Sequence, residues 1–110
     1  MINESEELKS LMVHSFEIPL KVHENNLDDL YPILLGHIEW MIENRMEALL
    51  STLYRLDVLE SKINAVLTPD FPLSPAQGIT NLVIERQKER YQTKLKYHNT
   101  EYTKDWIELK

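Results

Sequence analysis

The 110-residue sequence contains no cysteine and only two glycines. The lack of cysteine excludes disulfides and thiolate chemistry. The lack of glycine excludes the glycine-rich turns that hold nucleotides and phosphates, and it favours helices over hairpins. No apolar run approaches the roughly 18 residues that indicate a membrane span, so no membrane association is predicted.

The acidic and basic residues are distributed unevenly along the chain. Residues 1–60 hold 12 acidic and 4 basic residues (−8), and residues 61–110 hold 6 acidic and 8 basic residues (+2), which gives the net −6. The acidic excess argues against nucleic-acid binding, which needs a broad basic surface. The two halves can instead attract each other, within a chain or between copies. The acidic N-terminus does not resemble a signal peptide, so a cytoplasmic, bacterial-type protein is expected.

A long amphipathic pattern dominates what is present. Apolar residues recur every three or four positions from Leu27 to Leu67, which predicts a helical segment over 27–67. A straight helix of that length would measure about 60 Å, far more than usual. Asp57 and Glu60 have the spacing of a capping box. A continuous helix and a helix bent or split near Asp57 therefore remain as two alternatives.

The flanking residues predict shorter elements. Residues 4–13 fit a short helix, and an alternation then favours an extended N-terminal arm within 1–26, with Pro19 restricting it to an edge strand or an arm across the helices. Three prolines make 68–74 a stiff loop that ends at Pro75. Ser74 and Gln77 form a capping box that predicts a C-terminal helix over 75–98, followed by a tail over 99–110. The alternating apolar residues of the arm are Phe16, Ile18, Leu20 and Val22.

These elements predict an all-α fold, a small helical bundle forming one domain over 1–110. The helix over 75–98 spans about 35 Å and cannot cover a 60 Å stripe, so a homodimer with an intersubunit bundle is expected. Gly36 lies inside a helical pattern, where close approach of another helix is the usual reason for glycine. Trp40 and Tyr54 point away from the centre of the stripe. The predicted interface residues are Gly36, Trp40, Leu49, Leu53 and Leu56.

Three arginines fall on apolar faces. Arg45 lies near the middle of the long stripe, and Arg86 and Arg90 lie on the predicted apolar face of the last helix. A buried guanidinium without a partner is strongly unfavourable, so each must reach water, a carboxylate or an anion. One interpretation is ion pairs that set how helices or subunits align. The alternative is a site for a small anion or ligand formed by these three arginines.

The sequence does not indicate catalysis. His37 lacks the Glu-x-x-His or His-x-x-x-His spacing of a helical metal site, and no motif places a serine or threonine beside a histidine. No metal or cofactor is therefore expected. Glu39, Glu43 and Glu47 form an acidic ladder, either a solvated face or a docking strip for a basic partner. The predicted function is a self-associating interaction or structural protein, with small-anion binding as the alternative.

Overall fold

The computed structural model describes residues 4–20 and 26–104, and it describes side chains as far as Lys96. Within these residues the chain is helical and contains no strand, which confirms the all-α fold class. The helices are α1 (Glu4–Ser15), α2 (Leu27–Asn44), α3 (Met46–Arg55), α4 (Glu60–Val66) and α5 (Pro75–Lys104).

The predicted long segment is three helices, and its first break lies at Arg45. Arg45 has φ −142° and ψ 50°, and its backbone N–H donates to the Met41 carbonyl to end α2. The expectation of one continuous helix is therefore wrong. The break escapes the periodicity because the apolar stripe resumes in the same phase at Leu49. It also moves Arg45 out of the stripe, since its side chain is exposed.

The second break lies near Asp57, where the alternative interpretation placed it, but it is built differently. Asp57 has a left-handed φ of 66°. The Val58 N–H donates to the Leu53 carbonyl (3.1 Å) and the Asp57 N–H to the Tyr54 carbonyl (3.0 Å). This is a Schellman ending, completed by burial of Val58 and Leu53. Asp57 thus ends α3 and does not cap α4, which begins at Glu60 without a side-chain cap.

The three helices bury their apolar face inside their own chain. The side chains of Leu34, Leu49 and Leu53 are fully buried, and Leu56 is nearly so. They share one core with residues of α1 and α5, including Met12, Ile79 and Val83. Leu49, Leu53 and Leu56, which were expected at a subunit interface, are buried within the core of their own chain.

The N-terminal region begins with a helix and continues without regular structure. α1 packs against α2 and α5. The Phe16 and Ile18 N–H groups both donate to the Met12 carbonyl. Phe16 and Ile18 are buried, whereas Glu17 and Pro19 are exposed, which is the alternation in the sequence. Val22, the last residue of that alternation, lies outside the described residues.

The last helix begins where the capping box places it. The Gln77 N–H donates to Ser74 Oγ (3.1 Å), and the Ser74 N–H donates to Gln77 Oε1 (3.2 Å). The helix continues to Lys104, beyond the predicted end at 98. Tyr97 and the tail residues 105–110 lie outside the described side chains. The buried face of α5 differs from the predicted face that included Arg86 and Arg90. Its buried side chains are Ala76, Ile79, Thr80, Val83 and Gln87.

Close packing of a glycine occurs on α5 and not on α2. A Cβ at Gly78 would lie 2.7 Å from Val66 Cβ and 2.9 Å from Phe71 Cε2, whereas a Cβ at Gly36 would meet nothing within 4 Å. Gly78 thus lets α4 and the proline loop approach α5. Gly36 has no such role among the described residues, so the close approach expected at Gly36 is not made within the chain.

Candidate functional site

The outer side of α2 and the start of α3 carry an acidic face, which we define as Gly36, Glu39, Ile42, Glu43 and Glu47. Ile42 is half-buried and the other four residues are exposed. Glu39 and Glu43 lie four residues apart on α2, so they repel mildly, and Glu47 follows on α3 beyond the break at Arg45. None of them forms an ion pair within the described part of the chain. The face is therefore a surface of unneutralised negative charge around a small apolar centre.

Trp40 stands at the edge of the acidic face. Half of its side chain is exposed to solvent (50%), and Tyr54 on α3 is exposed to the same degree (49%). Large exposed aromatic residues are enriched in interfaces. Both residues thus lie on the surface, away from the core that holds the leucines of the stripe.

On the other side of Trp40 lies a second feature, which we name the arginine groove. It is an open groove of about 490 Å³ between α2, α3 and the end of α1. Phe16 and Met41 are buried side chains in its lining, and His37, Trp40 and the exposed Arg45 and Arg55 complete its walls. Arg55 was not singled out from the sequence. The spacing Arg45, Ala48, Thr52, Arg55 along one helical face is the signal that would have found it.

His37 joins the groove to the core. Its ring lies 6.4 Å from the Phe16 ring in an edge-on arrangement and 5.9 Å from the Trp40 ring. Burial lowers the pKa of His37, while a hydrogen bond with the Phe16 backbone and the charge of Glu17 act in the opposite direction with less effect. His37 is therefore neutral at pH 7. Its hydrogen bond with the Phe16 backbone links α2 to the residues that follow α1.

Arg86 has an architectural place. Its Nε donates to the Leu56 carbonyl (3.0 Å), and its guanidinium lies 3.2 Å from Glu89 and 3.8 Å from Asp57. It thus ties α5 to the end of α3. The three arginines are not brought together as an anion site, because Arg45 lines the arginine groove and Arg86 a different groove beside Asp57. Arg90, expected on the apolar face, is exposed.

The exposed side of α5 carries the positive charge. Lys94 Nζ lies 2.9 Å from both carboxylate oxygens of Glu7 on α1. Lys88 and Arg90 are exposed and form no ion pair with the described residues. Because they are two residues apart, they project about 200° apart around the helix, and we define the two exposed cations together as the basic strip of α5. Its charge is opposite to that of the acidic face on α2.

No group of three histidine, aspartate or glutamate side chains that could hold a metal ion occurs among the described residues. Within the same residues, no helix is long and apolar enough to cross a membrane. Comparison with protein-family models, with curated proteins and with solved structures gives no match to this chain. Function is therefore inferred from the surfaces of the molecule itself.

Proposed function

We propose that this chain is a cytoplasmic interaction protein without catalysis, which self-associates as a homodimer. In this proposal the acidic face of one copy binds the basic strip on α5 of the other. The observation that carries it is the separation of unpaired charge. Glu39, Glu43 and Glu47 have no cationic partner among the described residues, and Lys88 and Arg90 have no acidic one.

Charge complementarity favours this pairing over others. Opposite potentials guide association and fix its register, whereas two like surfaces repel. Carboxylates four residues apart on α2 disfavour each other by about 0.2–0.5 kcal/mol per pair, and a cationic partner removes that cost. The acidic face of a second copy would instead increase the repulsion. The partner surface must therefore be basic, and α5 of this same chain provides one.

Apolar surface accompanies the charges on both helices. Trp40 borders the acidic face with half of its side chain exposed, and Leu95 on α5 is 37% exposed. Beyond Gln87, no described side chain of α5 is buried, although the helix continues to Lys104. The described side chains beyond Gln87, those of residues 88–96, span about 14 Å of helix at 1.5 Å per residue. The radius of gyration is 16.1 Å, and the value expected of a compact chain of this length is roughly 13 Å.

A twofold axis would use each surface twice. In such a dimer α2 of each copy contacts α5 of the other, so two equivalent contacts form and close the assembly. The helices of both copies then make the intersubunit bundle. In this proposal the residues that follow α1 lie along the intersubunit bundle as an arm.

Size-exclusion chromatography with light scattering tests the proposal. At high micromolar concentration the wild-type chain should have about twice the 13.0 kDa mass of the monomer. Glu43→Lys places like charge opposite the basic strip, so its dissociation constant should rise at least about tenfold, or about 1.4 kcal/mol. Asp70→Lys is the matched control, because it makes the same charge change at an exposed loop position that belongs to neither surface.

The control should dimerise as the wild type does. A wild-type chain that remains at 13.0 kDa at every concentration would refute self-association. A dimer that Glu43→Lys leaves unchanged would refute the proposed surface.

A further inference from the structure

The arginine groove has one aromatic wall. Trp40 is half exposed, and the rings of Trp40, His37 and Phe16 follow one another at centroid distances of 5.9 and 6.4 Å. Phe16 is buried and supports His37 from below. The exposed ring of Trp40 thus has a fixed neighbour and offers a flat surface for stacking.

Two cationic side chains also line the groove. Arg45 and Arg55 lie at the two ends of α3 and both line the groove. An Arg55 Nη donates to Thr52 Oγ1 (3.3 Å), and that hydroxyl donates to the Ala48 carbonyl (3.0 Å), so Arg55 is held toward the groove. The Arg45 side chain forms no hydrogen bond and no ion pair with the described residues. Arg45 differs in this respect from Arg86, which is tied to a carbonyl and two carboxylates.

The charge of the groove suits one anionic group. Its charged side chains are Arg45, Arg55 and Glu17, and His37 is neutral, which gives a net charge of +1 in a chain of −6. A guanidinium offers a planar set of donors that matches carboxylate and phosphate oxygens. Ser51, exposed in the same lining, adds a hydroxyl. The volume, about 490 Å³, lies within the usual range of small-ligand pockets.

We propose that the arginine groove binds a small organic anion, a carboxylate or phosphate attached to a planar ring. The ring stacks on Trp40, and the anionic group lies between Arg45 and Arg55. This ligand class follows from the aromatic wall and the two arginines. A bare anion leaves Trp40 unused, and an uncharged ring leaves both guanidinium groups unused.

Tryptophan fluorescence gives a direct measurement. The sequence has two tryptophans, so Trp106→Phe leaves Trp40 as the single reporter. The probes are benzoate and adenosine 5′-monophosphate, which join a ring to a carboxylate or a phosphate. Adenosine and inorganic phosphate supply the ring or the anion alone. At least one ring-bearing anion should change the Trp40 emission saturably. Its dissociation constant should be at least tenfold lower than that of adenosine or inorganic phosphate. Whichever of the two binds more tightly identifies the anionic group.

Substitutions test the assigned residues. Arg45→Gln and Arg55→Gln should each weaken binding at least fivefold, and Lys62→Gln, which removes an exposed cation outside both the groove and the basic strip, should leave it unchanged. Added salt should weaken binding by the wild-type groove, because salt screens exposed charges. The salt dependence is measured on the wild-type protein, so it does not depend on whether a variant folds. Glu43→Lys should bind the anion as wild type, which separates this inference from the proposed dimer.

Two results would overturn the proposal. One is the absence of a saturable signal with both ring-bearing anions at about 10 mM, a concentration at which even a weak, millimolar site is largely filled. The other is saturable binding that does not depend on the charges, either because Arg45→Gln and Arg55→Gln leave it intact or because adenosine binds as tightly as its monophosphate.

Discussion

The inner and outer sides of α2 come from one stretch of sequence and serve different purposes. On the inner side, Leu30, Leu34 and Ile38 are completely buried. On the outer side, Glu39 and Glu43 are exposed and form no ion pair with the described residues. The apolar periodicity indicates the inner side, where the chain packs against itself. The acidic residues mark the outer side, where contact with another molecule is proposed.

Because of this contrast, a subunit interface is expected at exposed residues and not along the apolar stripe. The long stripe looked too long for one chain to cover, but the breaks at Arg45 and Asp57 fold it into three short helices. The chain then covers its own leucines. Surface left for a partner is found among charges and isolated aromatic residues, which hydrophobic periodicity does not detect.

The largest difference between the two sides should appear on truncation to alanine. Leu34→Ala leaves a cavity in the core and should lower the free energy of unfolding by about 2–5 kcal/mol. Trp40→Ala removes a half-exposed side chain, and its effect should stay within about 0.5–1 kcal/mol. Urea denaturation at low micromolar concentration measures both. Equal losses would mean that Trp40 belongs to the core.

The two glycines give an intermediate contrast. Gly78→Ala brings a methyl group within 2.7 Å of Val66 Cβ, so it should destabilise the fold by about 1–3 kcal/mol. Gly36→Ala meets nothing within 4 Å in the middle of α2 and should stabilise it by about 0.5–1 kcal/mol. Thermal unfolding of the two variants is the measurement. A stabilising Gly78→Ala would contradict the close packing of α4 on α5.

The smallest expected effect on stability is that of His37, which lies at the boundary between the inner and outer sides of α2. Its pKa is lowered in the fold, chiefly by burial, so the unfolded chain binds more protons than the folded chain between the folded value and 6.5. Stability should therefore rise with pH through that window and level off above and below it, where the two states bind the same number of protons. Urea midpoints from about pH 5 to about pH 8 measure this dependence.

His37→Gln should flatten that dependence, and His14→Gln, at an exposed position on α1, serves as the control. If His37→Gln and the wild type have the same slope, His37 does not contribute in the way its burial implies.

Local chemistry made part of the fold predictable. Ser74, Pro75 and Gln77 identify the start of α5 because the cap depends on residues three apart. The break near Asp57 was found for a related reason, although the left-handed ending there depends on contact between Val58 and Leu53. The break at Arg45 was not predictable, because the apolar phase continues through it and no glycine or proline marks it.

The candidate sites depend on longer contacts and were predictable only in part. Glu39, Glu43 and Glu47 were recognised by their four-residue spacing, although the structure places Glu47 on α3 and the other two on α2. Arg86 was identified as a residue needing a partner, but Leu56 and Asp57, thirty residues away along the chain, supply it. The arginine groove joins Phe16, which follows α1, with His37 of α2 and Arg55 of α3, so no local pattern could assemble it.

The most direct test of the central claim mixes two charge-reversed chains. Glu43→Lys and Arg90→Glu should each weaken their own dimer, but in a mixture both contacts of the twofold assembly regain opposite charges. Light scattering should then show 13.0 kDa for each variant alone and twice that mass for the equimolar mixture. Variants that dimerise alone as the wild type does, or a mixture that stays at 13.0 kDa, would contradict the pairing of α2 with α5.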